Sequence, residues 1–377
     1  MKSEKPHILL VIWNPVGGIR TYVGYVYETP EFRNARFTMI IPQSHLSDLF
    51  ISTFSNLEAD FVICKKSGFS VMYHLVLTIL KSRVDLVHSH GFTSGIYTSV
   101  ISKIFRKKQV ITAHDVIRDD QVLGIKGKMK ALLMSVLLNF ADFTHCVSYD
   151  VEKNLEEKLP LINKGKLITI SNGVDVRRFF NAEKTNLRDV FSLDEGQFLI
   201  GFFGRFMPQK GFEYLIEAVE IIKSDPGIKQ IPVVIAYGED GFIREKKQAI
   251  EEKGLSNSFI FPGRVKDTSS VLKGFDVIAM PSLWEACGLV AMEALTAGVP
   301  IIACNCIGLR EVIEGTPSFV ATPANAQDLA DNIKECMAND RRVDFASYQR
   351  TAFERFDSLK TAKEVRDLYE NMGLVLQ

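Results

Sequence analysis

Short apolar runs recur along this chain, each followed by enough residues for one amphipathic helix. His7 to Trp13, Arg36 to Ile41, Asp60 to Cys64, Asp85 to Ser89, Gln109 to Ala113 and Phe143 to Val147 are five to seven residues long and rich in Val, Ile, Leu or Phe. Runs of this kind, mostly closed by small or polar residues, predict strands buried on both faces. Helical spacing fills the gaps at 19–27, 70–82, 94–105 and 128–141. The pattern then restarts, with runs at 166–170, 198–203, 232–237, 258–261, 277–280, 300–303 and 318–321. Strands alternating with helices predict parallel sheets covered on both sides.

Between the two sets lies Ser171-Asn-Gly-Val-Asp175, followed by a polar, weakly patterned stretch to Gly196. The expected organisation is a first domain over 1–175, a linker over 176–195 with a hinge at 173–195, and a second domain over 196–357. Leu359, Ala362, Val365, Leu368 and Tyr369 are spaced for a closing helix, so 358–377 is expected to rejoin the first domain. The fold class is α/β, with two Rossmann-like, doubly wound parallel-sheet domains facing a central cleft. Ligands in such folds sit at the carboxyl ends of the strands.

Length supports this division, since 377 residues suit two domains. Hydrophobic content of 46%, charged content of 24% and zero formal net charge are ordinary and give nucleic acid no electrostatic footprint. The apolar run after His7 is too short for a signal-peptide core, and no run reaches the length of a membrane span. The six cysteines are scattered, and Cys304-Asn-Cys306 lacks the spacer of a redox or zinc pair. Reduced, buried thiols and a cytoplasmic location are expected.

The chemistry-bearing residues fall at predicted strand ends. In Pro281-Ser-Leu-Trp-Glu285-Ala-Cys287-Gly288-Leu289-Val-Ala-Met-Glu293, a strand breaks at Pro281 and a helix restarts near Gly288. That helix is apolar nearly all round, and an ionised Glu buried there costs several kcal/mol unless something hydrogen-bonds it. Glu293 therefore either points out of a partly exposed helix or, with Glu285, faces a ligand. Gly204-Arg205-Phe-Met-Pro-Gln-Lys210-Gly211 follows another strand and precedes a helix. Glycines admit a ligand close to the backbone, Arg205 can fork phosphate oxygens and Lys210 adds a mobile charge, so a diphosphate fits. The order is wrong for a Walker loop. Asn14-Pro-Val-Gly17-Gly18 is either a tight turn or a ligand-facing loop, without a dinucleotide fingerprint. His90 and His114, the latter followed by Asp115, end adjacent strands, whereas His88 reads as structural. A neutral imidazole at His114 can hydrogen-bond a sugar hydroxyl or share developing positive charge. The Asn172-Gly173 turn is explained by turn chemistry alone.

Together these residues resemble the retaining GT-B glycosyltransferases of family 4. The resemblance runs through Gly17-Gly18, His90, Thr112-Ala-His114-Asp115, Ser171-Asn172-Gly173, Gly204-Arg205…Lys210-Gly211 and Phe261-Pro-Gly263-Arg264-Val265. It continues through the Glu285-x7-Glu293 element and Gly308-Leu-Arg-Glu311. It implies transfer of a sugar from a UDP- or GDP-linked donor to a saccharide or lipid-linked acceptor, with retention, in cell-surface polysaccharide or glycoconjugate synthesis. It further implies that Arg205 and Lys210 hold the diphosphate, Glu285 contacts the transferred sugar and Glu293 binds the ribose. His114 is then catalytic, and Gly204, Gly263, Arg264, Val265, Cys287, Gly288 and Leu289 line the donor with Gly17 and Gly18. His90 and Asp115 fall on the acceptor side. Neither metal nor cofactor is implied; the nucleotide sugar is a co-substrate. Departures from the family pattern at Cys304-Asn-Cys306-Ile307-Gly308, with one glycine for two, and at Tyr237 bear on donor identity. Lysines leading into the apolar 125–138 segment fit either a buried helix or peripheral contact with the inner face of a membrane. A sugar-nucleotide epimerase on the same fold and a non-catalytic nucleotide-sugar binder are the alternatives.

Overall fold

The computed structural model describes residues 5–15, 17–44, 47–54, 57–239, 241–265 and 267–376. Val16 of the glycine loop and Asp240 after Tyr237-Gly238-Glu239 lie outside the described residues, as do 1–4 and Gln377. The chain divides into two compact units, Met1–Gly173 with Ser358–Gln377, and Val174–Asp357.

The first unit contains a parallel seven-stranded sheet in the order β3-β2-β1-β4-β5-β6-β7. Its strands are β1 (His7–Ile12), β2 (Arg36–Pro42), β3 (Ala59–Cys64), β4 (Leu86–His90), β5 (Lys108–Ala113), β6 (Phe143–Cys146) and β7 (Leu167–Thr169). Strand alternation sorts the core. Ile8, Leu10 and Ile12 face one layer with Val23, Val26 and Tyr27 of the Gly17–Tyr27 helix and Val365 and Tyr369 of the Ser358–Asn371 helix. Leu9 and Val11 face the other, with Val71, Leu75 and Ile79 of the Gly68–Lys81 helix. One expectation is corrected here. The 166–170 run, counted with the restarting pattern although it lies within the 1–175 bounds of the first domain, pairs with β6 and completes the first sheet, and the second set opens at β8.

The second unit has a parallel six-stranded sheet in the order β10-β9-β8-β11-β12-β13. Its strands are β8 (Leu199–Phe203), β9 (Val233–Tyr237), β10 (Phe259–Gly263), β11 (Val277–Met280), β12 (Ile301–Cys304) and β13 (Phe319–Ala321). The 176–195 stretch is grouped with this unit and carries two short helices, Val176–Asn181 and Leu187–Val190. The two points where the chain changes unit are tied together, since Val174 N donates to Phe356 O at 2.8 Å.

In both sheets the strand order reverses direction beside the first strand, between β1 and β4 and between β8 and β11. Such switch points at the carboxyl ends are where open α/β sheets take ligands.

Candidate active site

At the switch point of the second unit, two segments that are distant in sequence lock together. The turn after β8 runs through Gly204 and Arg205 into a 3-10 turn at Pro208–Lys210, and the Phe212–Lys223 helix follows. The turn after β11 runs from Pro281 to Gly288, and the Leu289–Ala297 helix follows. Leu283 N donates to Gln209 O at 2.8 Å, and Gln209 Nε2 donates to Trp284 O at 3.1 Å. Gly211 makes this close fit sterically available. Its φ is +59°, and a Cβ there would collide with the Pro281 carbonyl. Gly308, at φ +75°, does the same on the other side, lying against the Glu285 carbonyl, while Glu285 N donates to Ile307 O at 3.0 Å. The turn carrying Glu285 is thus held from both flanks by backbone.

The result is an ion pair. Lys210 Nζ lies 2.6 Å from Glu285 Oε1, which also accepts from Ser282 Oγ at 2.7 Å. The Glu285 side chain is 8% exposed and that of Lys210 23%. The two residues expected to serve separate parts of a ligand therefore meet directly. Glu293 is buried at 8% exposure in a helix whose positions 291–297 are all buried, which excludes the outward-pointing alternative. Cys287 is buried as well, and burial, followed by the neighbouring Glu285, pushes the Cys306 thiol up. Arg205 is exposed. Gly263 ends β10, its carbonyl accepting from Gly238 N at 3.0 Å, and Arg264 pairs with Glu239 at 2.8 Å.

In the first unit, the carboxyl ends of β4, β5 and β6 hold a polar cluster that sequence shows only in part. His90 pairs in register with Thr112, and Thr112 with His145, so these side chains share one face of the sheet. His88, two residues before His90, shares it too. Onto this face the Gly17–Tyr27 helix brings Tyr22 and Tyr27, and the Ser358–Asn371 helix brings Tyr369. His88, His90 and His145 are buried, whereas His114 is half-buried. His90 Nδ1 lies 3.0 Å from His114 Nε2, with the rings stacked at 5.3 Å. Tyr22 sets its ring edge-on to His114 at 4.9 Å. Burial pushes all four imidazoles towards the neutral form, the neighbouring histidines adding to this for His88, His90 and His114, and His145 falls to about 4.

His90 is 1% exposed and reaches His114, not solvent, whereas Asp115 is exposed and accepts from Val116 N at 2.9 Å. Gly17 and Gly18 open the first helix. A cavity of about 380 Å³ lies at the opposite, amino ends of the second sheet. Its Arg188 is engaged by Asp276 at 2.6 Å and its Arg342 by Asp340 at 2.7 Å. Among the described residues, no group of three or more His, Cys, Asp or Glu is placed to hold a metal ion.

Two family models match the chain, one described as glycosyl transferases group 1 over residues 183–352 and one as glycosyltransferase family 4 over 65–178. The chain is similar to a D-inositol 3-phosphate glycosyltransferase of Corynebacterium urealyticum, 25% identical over 76% of this chain and 72% of that one. It is similar at 25% identity to the UDP-Gal:alpha-D-GlcNAc-diphosphoundecaprenol alpha-1,3-galactosyltransferase of Escherichia coli, over 78% of this chain and 76% of that one. In fold it resembles Anabaena HepE in complex with UDP-glucose, with TM-score 0.82 and 21% identity over 97% of this chain and 99% of HepE. It also resembles WaaG, a glycosyltransferase involved in lipopolysaccharide biosynthesis, with TM-score 0.74 and 16% identity over 96% and 98% of the two chains.

Proposed function

The chain belongs to the group 1, family 4 glycosyltransferases of the GT-B fold, which act on nucleotide-sugar donors, and from that premise we propose a retaining transfer to a saccharide or lipid-linked acceptor. The Lys210–Glu285 pair at the switch point carries this reading. A donor diphosphate brings negative charge that competes with Glu285 for the Lys210 ammonium, and Arg205 adds a second cation from its exposed position. As the bond between the anomeric carbon and the phosphate oxygen breaks, the cations stabilise the leaving diphosphate. Glu285, displaced from Lys210, lies next to the developing positive charge. The acceptor oxygen attacks on the face the diphosphate leaves, and its proton passes to a diphosphate oxygen. Glu293 takes the ribose hydroxyls, His114 a sugar hydroxyl, and no metal is required.

The donor is UDP- or GDP-linked, and UDP-glucose, the ligand in the HepE complex, is the first to test. Under thermal shift, a donor at 100 times its Kd adds roughly 2.7 kcal/mol. The matching donor should then label a saccharide or lipid-linked acceptor with retained configuration, in the presence of EDTA. Isomerisation of the donor without acceptor would replace this reading with an epimerase, and no stabilisation by any nucleotide sugar would remove it.

We place the acceptor at the inner face of an anionic bilayer, as the lipid-linked substrate named for the Escherichia coli relative suggests. No helix among the described residues is long and apolar enough to cross a membrane, so contact would be peripheral. The Gly68–Lys81, Phe92–Ile104 and Gly124–Leu138 helices pack side by side. They contain no Asp or Glu and five lysines, Lys81, Lys103, Lys126, Lys128 and Lys130. Phe69, Leu80, Ile104, Ile125, Met129 and Leu133 stand exposed on them. Exposed apolar side chains beside lysines suit insertion at a charged headgroup layer. Co-sedimentation at low salt should require anionic lipid and be lost on changing Lys126, Lys128 and Lys130 to Gln; no sedimentation with anionic vesicles would remove the membrane from the reading.

A further inference from the structure

The buried cluster of the first unit can be assigned its protons by counting donors. His145 Nε2 lies 2.9 Å from the Ile170 carbonyl, which only accepts, so His145 carries its proton there. Its Nδ1 is then bare and accepts from Thr112 Oγ1 at 3.1 Å. With its hydroxyl proton committed, Thr112 Oγ1 accepts from His88 Nε2 at 2.6 Å. His88, neutral in this buried place, is left with a bare Nδ1.

Four contacts then radiate from the phenols. Tyr27 OH lies 2.8 Å from His88 Nδ1, 2.9 Å from Tyr369 OH and 3.3 Å from His90 Nε2, and Tyr369 OH also touches His88 Nδ1. The two phenols supply two protons. If His90 Nε2 were bare, at least two of the four contacts would lack a proton, among side chains that are each no more than 1% exposed. A proton on His90 Nε2, given to Tyr27 OH, leaves only one contact without a proton. Neutral His90 is then bare at Nδ1, the atom 3.0 Å from His114 Nε2.

We propose that His90 is a positioning residue: its Nδ1 accepts from His114 Nε2–H and fixes His114 in the Nε2–H tautomer, which leaves His114 Nδ1 as a hydrogen-bond acceptor. A substrate hydroxyl meeting His114 therefore donates to it, and the selectivity falls on groups that carry a proton. The chain of partners from the Ile170 carbonyl through His145, Thr112, His88 and Tyr27 sets the direction, so the tautomer of a half-buried residue is decided several residues away. Only the role of His114 towards substrate rests on the function proposed above.

The test begins on the unaltered protein. Nitrogen-15 correlation spectra of histidine-labelled protein at neutral pH, assigned with His114→Gln, should show His114 Nε2 protonated and Nδ1 bare. A proton on His114 Nδ1 overturns the proposal. His90→Phe should leave His114 populating both tautomers and lower kcat for transfer roughly tenfold, the scale of one misdirected hydrogen bond. His90→Asn, whose side-chain oxygen can accept near the same place, should restore the single tautomer and most of the rate. A folded His90→Phe enzyme with the wild-type His114 tautomer also overturns it. Full transfer by His114→Ala would instead defeat the assigned role of His114 while leaving the tautomer result standing.

Discussion

In the first unit, the carboxyl ends of β4, β5 and β6 gather four imidazoles, three phenols facing them and a threonine, all uncharged. In the second, the ends of β8 and β11 hold an ammonium and a carboxylate 2.6 Å apart. Both sheets are parallel and both clusters lie at the carboxyl ends of strands starting beside the switch point, so topology does not account for the difference. Neutral groups satisfy one another through directional hydrogen bonds and fix an orientation. A partly buried ion pair owes its place to mutual attraction that offsets desolvation, and an incoming charge can take over one partner. The first arrangement suits holding a side chain still, and the second suits exchange with a charged ligand.

Breaking the ion pair should have the largest effect. Glu285→Gln is expected to lower kcat by about 10² to 10³, the scale of a lost electrostatic contact to a reacting centre, with little change in melting because Lys210 reaches solvent. Lys210→Ala should cost at least as much turnover and, unlike Glu285→Gln, about 3 kcal/mol of stability, since the Glu285 carboxylate is left buried with Ser282 alone among its charge-stabilising contacts above. Turnover at the wild-type rate in either variant would sink the site assignment.

Acidification should act on the other region. Among the described residues, all six histidines lie in the first unit. Those of the cluster have folded-state pKa values below the ordinary 6.5, so the unfolded chain binds more protons as pH falls below that value. Their stabilising contribution is complete above pH 6.5 and is lost on the way down, for His145 through the window to about 4. At about 1.4 kcal/mol for each pH unit, His145 alone accounts for roughly 3 kcal/mol by pH 4. Urea unfolding between pH 7 and pH 4.5, with hydrogen exchange read separately on β4–β6 and β8–β11, should show the first set losing protection earlier. Equal loss in both would contradict the division of chemistry between the units.

Much of this was legible in the residues. The alternation of apolar runs and helical spacing locates the strands to within a residue or two, because a strand buried on both faces needs a continuous apolar run. The apolar residues around Glu293 in the 289–297 helix leave two orientations open, and only its burial in the structure chooses between them. The Lys210–Glu285 contact does not, since the partners are 75 residues apart and meet only because β11 inserts beside β8. The histidine cluster is half visible. The His88-Ser-His90 spacing puts two imidazoles on one face, but Tyr369 arrives from 281 residues beyond His88 and no local pattern marks it. For the same reason His90 reads in sequence as a ligand contact at a strand end, whereas its side chain is buried behind His114. The 166–170 run shows the remaining limit, because periodicity finds a strand without saying which sheet it joins.

The smallest expected effect separates the phenols of Tyr27 and Tyr369. Tyr369→Phe removes one proton and one oxygen from the network, but Tyr27 OH remains 2.8 Å from His88 Nδ1 and can donate to it while still accepting from His90 Nε2. No nitrogen is left without a partner, so the loss should be about 1 kcal/mol or less, with the His114 tautomer and the transfer rate unchanged. Tyr27→Phe takes away the one phenol that, among the described residues, hydrogen-bonds both His88 and His90, and it strands the His90 Nε2 proton in a buried place. It should therefore loosen the His114 tautomer as His90→Phe does, at a cost in stability of about 1–3 kcal/mol for the unsatisfied donor. Denaturation curves and the imidazole nitrogen spectra of the two variants make the comparison. If Tyr369→Phe disturbs His114 as much as Tyr27→Phe, the direction of hydrogen bonding assigned to the network is wrong, because only Tyr27 stands between His88 and His90.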